Sequence, residues 1–402
     1  MITDYFSPLP ELSDFERKLL EEKVDVDERY DLPSKVVFCR SCVMSNQRPR
    51  IAFDSSGECS ACTYWRRKNN EIDWDAREQE LIDLCNRHRR NDGGFDVLVP
   101  SSGGKDSVYV AHLLKFKYGM NPLTLTWAPH VYSDIGYRNL QAHIHSGLDN
   151  VTYTPNGIVH RRMTRLASIV MGDPFQPFIY GQSNLPLRVA VDKGISLIMD
   201  GENGEAEYGG DPTVEDAKGF DIDGANRYWL SGFPAEYWLQ HGFSKQDLMI
   251  YSAPPIERIE QGQVERYFFS YYKNWQPQSH YYYSVENANF LPNPNGRSEG
   301  TFSKYASLDD RLDPYHYYFS YLKFGIARAT SDASHEIREG LIDRKEGEVL
   351  VKRYDAERPS EDSKKLFLDY TGFDELDLKK LCTRWANEKF FELTEGMPKP
   401  KW

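Results

Sequence analysis

The stretch "VPSSGGKDS" at residues 99–107 ties an apolar run to a helical pattern, and it constrains this chain more than any other segment of its length. Before it, "FDVLVP" reads as a short buried strand. After it, "SVYVAHLLKFKYG" puts Val108, Ala111 and Leu114 on one helical face and offers Gly119 as a stop. Strand, glycine-rich turn and helix in that order build an anion site. Ser101, Ser102, Gly103 and Gly104 let the backbone approach a polyphosphate, and the helix start aims free N–H groups at it. Lys105 and the hydroxyls of Ser102 and Ser107 add donors. The Walker A pattern is not met, because Asp106 follows Lys105 and Val99 stands in place of the leading glycine. An aspartate beside phosphate is repulsive unless a cation intervenes, so Asp106 either caps the helix or holds Mg²⁺, or does both.

The pattern around this loop alternates strand and helix. "PLTLTWA" places Leu123, Leu125 and Trp127 on one face of a strand; helices are expected over 134–145, 158–171 and 184–193, and strands at "NVTYT" and "ISLIMD". Such alternation predicts a parallel sheet with helices on both faces and a ligand at the carboxyl ends of its strands. Past residue 220 the character changes to aromatic-rich, helically spaced segments such as "YFFSYYKNW" and "HYYYS", read as helix packing in preference to sugar or base stacking. The expected organisation is an extension over 1–35, a zinc ribbon over 36–70, the nucleotide domain over 71–220 and a mainly helical substrate or partner region over 221–402.

Four of the six cysteines form Cys39-x-x-Cys42 and Cys59-x-x-Cys62. Two paired turns at this separation can present four thiolates tetrahedrally, which suits a structural zinc ion. An iron–sulfur cluster is also compatible, and disulfides are disfavoured where thiols stay reduced. Between the pairs, Ile51 to Phe53 suits a short strand and Asp54 to Gly57 a turn. Cys85 and Cys382 stand alone in helical stretches and read as buried fillers.

A formal charge of −12 argues against broad nucleic-acid binding. The basic groups at 66–68 and 87–90 are read first as solvated helix faces, with an RNA or partner-protein handle as the alternative. No basic segment followed by an apolar one opens the chain, and no later apolar run approaches the roughly 20 residues of a membrane helix, so a cytoplasmic location is expected.

Ser102-Gly-Gly-Lys-Asp-Ser107 resembles the S-G-G-x-D-S loop of the PP-loop ATP pyrophosphatases, which have the adenine nucleotide α-hydrolase-like (HUP) fold. That likeness implies ATP binding by Ser101 to Ser107 together with Trp127, attack of a substrate oxygen on the α phosphate, and roles for Lys105, Asp106 and Ser107 in that step. Over residues 38–355, "CRSCVMSNQRPRIAFDSSGECSAC", "SGGKDS", "DGENGEAEYGG" and "GTFSKYASLDDRLDPYHYYFSYLKFGIARATSDASHEIREG" together resemble the N-acetyl sugar amidotransferases of surface-polysaccharide biosynthesis, including pseudaminic-acid and acetamidino-sugar pathways.

The resemblance implies an ATP- and Mg²⁺-dependent conversion of an acetamido to an acetamidino group, on a sugar nucleotide or a nonulosonic acid. Ammonia has to be supplied. No nucleophile-elbow cysteine and no cysteine at position 2 is present, so a separate glutaminase with an ammonia-channel protein is the expected partner. In "DGENGEAEYGG", Glu202 is expected to bind Mg²⁺ or orient ammonia, with Asn203, Glu205, Glu207 and Tyr208 toward the sugar. Lys323 and Arg328 suit the phosphates of ATP or of a nucleotide sugar, with pairing to neighbouring acids as the rival reading. Two other functions stay open: a tRNA thiolase, disfavoured by the absence of cysteines between 86 and 381, and a non-catalytic ATP-binding adaptor.

Overall fold

The computed structural model describes residues 5–394 and 397–401. Near the amino end, each C-x-x-C pair closes a tight turn whose amides point at sulfur. Ser41 and Cys59 N–H donate to Cys39 Sγ, and Met44 N–H donates to Cys42 Sγ. The strand expected at Ile51 to Phe53 is reduced to one antiparallel bridge between Phe53 and Cys59, matched by another between Phe38 and Ser45. Helix α1 (Ser60–Asn70) leaves the second turn, carrying Cys62 in its first turn.

Strands β1 (Val97–Pro100), β2 (Pro122–Trp127), β3 (Asp149–Tyr153) and β4 (Leu197–Asp200) form at the four segments expected to be strands. They are all parallel, in the order β3-β2-β1-β4-β5. The fifth strand, β5 (Glu265–Phe268), pairs with β4 and comes from well beyond residue 220. Its end, Tyr267 and Phe268, was expected to be helical; helix follows only at Phe269–Tyr272. A strand of four residues is too short for periodicity to reveal, and the exposed ladder of β4 is what recruits it.

Helices α2 (Lys105–Phe116), α3 (Asp134–His145), α4 (Gly157–Met171) and α5 (Gln176–Lys193) connect these strands. α5 begins at Gln176 rather than at 184, and it keeps both Gly181 and Pro186 inside. Burial explains the glycine: a Cβ at 181 would lie 2.1 Å from the Trp127 ring. The "DGENGEAEYGG" loop then forms the short helix α6 (Gly204–Glu207).

Beyond β5, α7 (Pro277–Ala288) lies along α2, followed by α8 (Asp313–Phe324) and α9 (Arg328–Arg338). Three more helices, at Arg344–Tyr354, Glu361–Thr371 and Glu375–Trp385, precede a small antiparallel hairpin. The last helix packs back onto α4, where Arg384 donates to the Ile169 carbonyl and the Trp385 indole to that of Ser168. The chain therefore joins an α/β unit built on a five-stranded parallel sheet to an N-terminal four-cysteine module and a helical C-terminal region.

Of the basic groups, Arg66 and Arg87 stay exposed, as solvated helix faces would, whereas Lys68 is buried. Arg67 forks onto Asp216, Lys68 is buried on Glu207, Arg87 and His88 meet Glu265, and Arg90 holds Asp92. Among the described residues no helix is long and apolar enough to cross a membrane.

Candidate functional site

Strand order reverses between β1 and β4, and a parallel sheet opens a crevice at such a point. The loop sits there. Gly103 has φ +83°, and a Cβ on it would lie 2.6 Å from the Leu140 backbone, so the turn needs glycine twice over. Gly104 is the N-cap of α2 and makes no side-chain capping bond, which leaves the first-turn amides directed at the crevice. Asp106 does not cap the helix. Its carboxylate takes hydrogen bonds from Lys105 Nζ at 2.5 Å and from His280 Nδ1 at 2.8 Å. Burial alone would raise its pKa, but Lys105 and His280 hold the carboxyl well below the usual range. The Ser101 hydroxyl is taken up within the fold, donating to Ser107 Oγ and meeting His143 Nε2, each at 3.0 Å.

Two cavities meet at this loop. The first, about 520 Å³, lies between residues 100–107 and the far wall of Asp200, Glu202, Trp229 and Arg266. The second, about 370 Å³, lies on the other side of Ser102 to Asp106, against Gly136 and Asn139 of α3 and against Tyr305, Asp309, Asp310, Asp313 and Arg328. Gln182 and Ile179 of α5 line both cavities. One carboxylate beside a run of backbone amides and hydroxyls is the kind of donor set that magnesium shares with a nucleotide's phosphates.

Of the three glutamates after β4, Glu202 alone lines a cavity. Burial and then the nearby Asp106 charge lift it to about 7, and the Tyr208 hydroxyl donates to it at 3.4 Å. Glu205, Glu207 and Asn203, expected toward the sugar, are engaged within the fold. Glu205 is held by Arg50 and the Asp211 amide, and Glu207 by Lys68 in a buried ion pair. Asn203 caps α6 and donates to the Val214 carbonyl.

Trp127, expected at the nucleotide, is 4% exposed, capped by Gly181 and stacked on Tyr153. It belongs to the core. Arg328 does reach the second cavity, paired at 2.9 Å with Asp332. Lys323 does not; its ammonium is buried on the Met171 carbonyl and faces a separate cavity lined by Arg29, Arg48 and Arg227.

Four features at the loop escaped sequence reading. His280 reaches Asp106 from 174 residues away. The exposed amide of Gln182 opens onto both cavities. Asp200 and Arg266 form a two-point ion pair at 2.5 and 2.9 Å in the wall of the first cavity. In the second cavity, burial and then the charge of Asp310 hold Asp309 and Asp313 above the usual carboxylate range. The motif "SLDDRLDP" carried the last signal without indicating what its acids face.

The four cysteines are buried, with ligand atoms all within 4.8 Å of one another. Cys39 Sγ lies 3.8 Å from Cys62 Sγ, and Cys42 Sγ 3.7 Å from Cys59 Sγ. Sulfurs about 2.3 Å from a shared tetrahedral centre are separated by about 3.8 Å, so the set fits one ion. A cubane would hold its thiolates farther apart. Burial works against the charge of Arg338, yet thiolate charge on Cys42, Cys62 and Cys59 holds its pKa above the ordinary value. Arg344 donates to the carbonyls of Cys39 and Cys42. The same module clamps the loop after β4: Arg48 donates to the Gly209 carbonyl, Arg50 to Glu205, Ser60 to the Gly210 carbonyl and Lys68 to Glu207.

The wall formed by Tyr305 to Arg328 lies in a segment with a known counterpart. Residues 299–400 match the family model described as LPS biosynthesis protein WbpG-like, C-terminal domain. The matched segment contributes Asp309, Asp310, Asp313 and Arg328 to the second cavity.

No curated protein matches the chain. Among solved structures, an NH3-dependent NAD synthetase from Campylobacter jejuni subsp. jejuni NCTC 11168 is 15% identical over 48% of this chain and 94% of its own, with a TM-score of 0.28. The U34-tRNA thiolase NcsA from Methanococcus maripaludis, with its [4Fe-4S] cluster, is 12% identical over 85% of this chain and 98% of its own, with a TM-score of 0.30. An NMN synthetase from Francisella tularensis is 13% identical over 48% and 94%, with a TM-score of 0.24.

Proposed function

We propose that this protein is an ATP-dependent amidotransferase that turns the N-acetyl group of a surface-polysaccharide sugar precursor into an acetamidino group, releasing AMP and pyrophosphate. The observation that carries the reading is the meeting of a pyrophosphate-type loop and the WbpG-like domain across one shared space, with Asp106 and Glu202 facing it. An amide carbon resists ammonia because its oxygen is a poor leaving group. Attack of that oxygen on the α phosphate makes an adenylated imidate and expels pyrophosphate; ammonia then adds to the imidate carbon and AMP departs.

The loop amides, Lys105 and the Ser102 and Ser107 hydroxyls hold the β and γ phosphates. Asp106 is the residue that would hold Mg²⁺, which screens the phosphates and stabilises the departing pyrophosphate. Glu202, with its pKa lifted to about 7, accepts a proton as the nitrogen adds. The Gln182 amide, a donor and an acceptor at the wall common to both cavities, matches an acetamido group. An acetamidino group is cationic near neutrality, and a cation beside Asp309 and Asp313 would offset the burial and the Asp310 charge that disfavour their ionised form.

The four-cysteine module holds a structural zinc ion, and a glutaminase partner supplies ammonia through a channel protein. Incubation with ATP, Mg²⁺, ammonium and a panel of N-acetylated sugar nucleotides and nonulosonic acids tests the reading. Formation of AMP with a product in which one oxygen has become NH is expected. AMP formation that depends on tRNA and a sulfur donor, or ATP binding without turnover, would overturn it.

A further inference from the structure

The sheet domain and the C-terminal region are pinned together at the loop by one helix. From α7, Ser284 donates to the Lys105 carbonyl at 2.9 Å, and the Tyr283 hydroxyl meets His112 Nδ1 at 2.7 Å. The third pin is His280, which is 1% exposed. Its ring stacks on Tyr109 at 4.1 Å and meets Trp275 edge-on at 4.4 Å. Both ring nitrogens are committed. The Gln276 amide donates to Nε2 at 3.4 Å, so Nε2 is an acceptor, and Nδ1 carries the hydrogen that Asp106 Oδ1 receives. A backbone amide thus selects the tautomer, two aromatic rings fix the plane, and one N–H is left to aim the carboxylate. Lys105 holds the other oxygen, Oδ2.

We propose that His280 is the positioning residue for the Asp106 carboxylate: it presents a lone pair of each oxygen to a divalent cation at the loop and keeps Asp106 from collapsing fully onto Lys105. The arrangement is that of a ligand held by an outer partner, in which the partner acts on cation affinity rather than on chemistry. The inference rests on reading the loop as a magnesium–ATP site.

The test uses the full chain and α,β-methylene ATP, whose α–β bridge resists cleavage, with binding measured by calorimetry at stepped Mg²⁺ concentrations. His280→Phe keeps a ring between Tyr109 and Trp275 but removes the donor. It is expected to raise the Mg²⁺ needed for half-maximal binding by roughly tenfold or more, with thermal stability near that of the wild type. His280→Asn, whose amide N–H can occupy the Nδ1 position, is expected to recover much of that loss. Ser284→Ala removes a different pin and is expected to leave the Mg²⁺ requirement unchanged.

Equal requirements in wild type and His280→Phe would overturn the inference alone. An equally large shift in Ser284→Ala would overturn it too, because the effect would then be general loosening of the loop. Wild-type binding that ignores Mg²⁺ would overturn the loop reading and this inference together.

Discussion

The four-cysteine module and the loop site are both small polar assemblies, yet they are put together in opposite ways. All four sulfurs come from residues 39–62, and the turns that aim them are closed by their own amides. The loop at 101–107 supplies only one wall of its site. His280, Gln182, Glu202 and the acids at 309–313 arrive from separate elements up to about two hundred residues away. A site set by local turns tolerates little change in its ligands but asks little of the rest of the fold. A site set by packing can fail without any of its own residues being touched.

The largest effect is expected at the loop itself. Asp106→Ala should lower AMP formation by about a thousandfold through lost phosphate and cation stabilisation, with the melting temperature retained; a rate near that of the wild type would break the assignment. Next is the link between the two regions. Chelation of the metal, or Cys59→Ser, should release one bound ion per chain. It should also speed hydrogen exchange over 202–210, because the module clamps that segment through Arg48, Ser60 and Lys68. Exchange that stays slow there would mean that the two regions are independent. Glu207→Gln breaks the buried pair with Lys68 and should cost about 3 kcal/mol in denaturant unfolding, whereas an exposed pair would cost far less.

A smaller change in rate, with a distinct pH signature, is expected from Glu202→Gln. Glu202 must be ionised to accept a proton, so turnover at constant free ammonia should rise as pH passes through about 7. The variant should lose about a hundredfold in rate and the rise with it. A rise that persists belongs to another group. The smallest effect is Trp127→Phe, which should leave the KM for ATP where it was and change only stability, since the ring is enclosed in the core.

Much of this architecture is legible in the chain. Strands β1, β2 and β4 stand out by their apolar residues, and Gly103 marks a backbone position with positive φ. The cysteine spacing names its own ligand set. The glutamates of "DGENGEAEYGG" show where such reading stops. Glu202, Glu205 and Glu207 are equivalent as a sequence pattern, and only the arrival of Arg50 and Lys68 removes two of them from the site. Trp127 makes the same point, because nothing in the strand pattern reveals that Gly181 lets α5 press down on its ring.

What residue order by itself determined is whatever short-range geometry controls: the anion-binding turn, the thiolate turns and the strand–helix alternation. Each depends on the backbone conformations and side chains of a few consecutive residues. Tertiary structure alone decided which glutamate stays free, which strand closes the sheet and which histidine holds Asp106. Those outcomes depend on contacts between segments with no shared periodicity, where burial and ion pairing choose among residues that are locally alike.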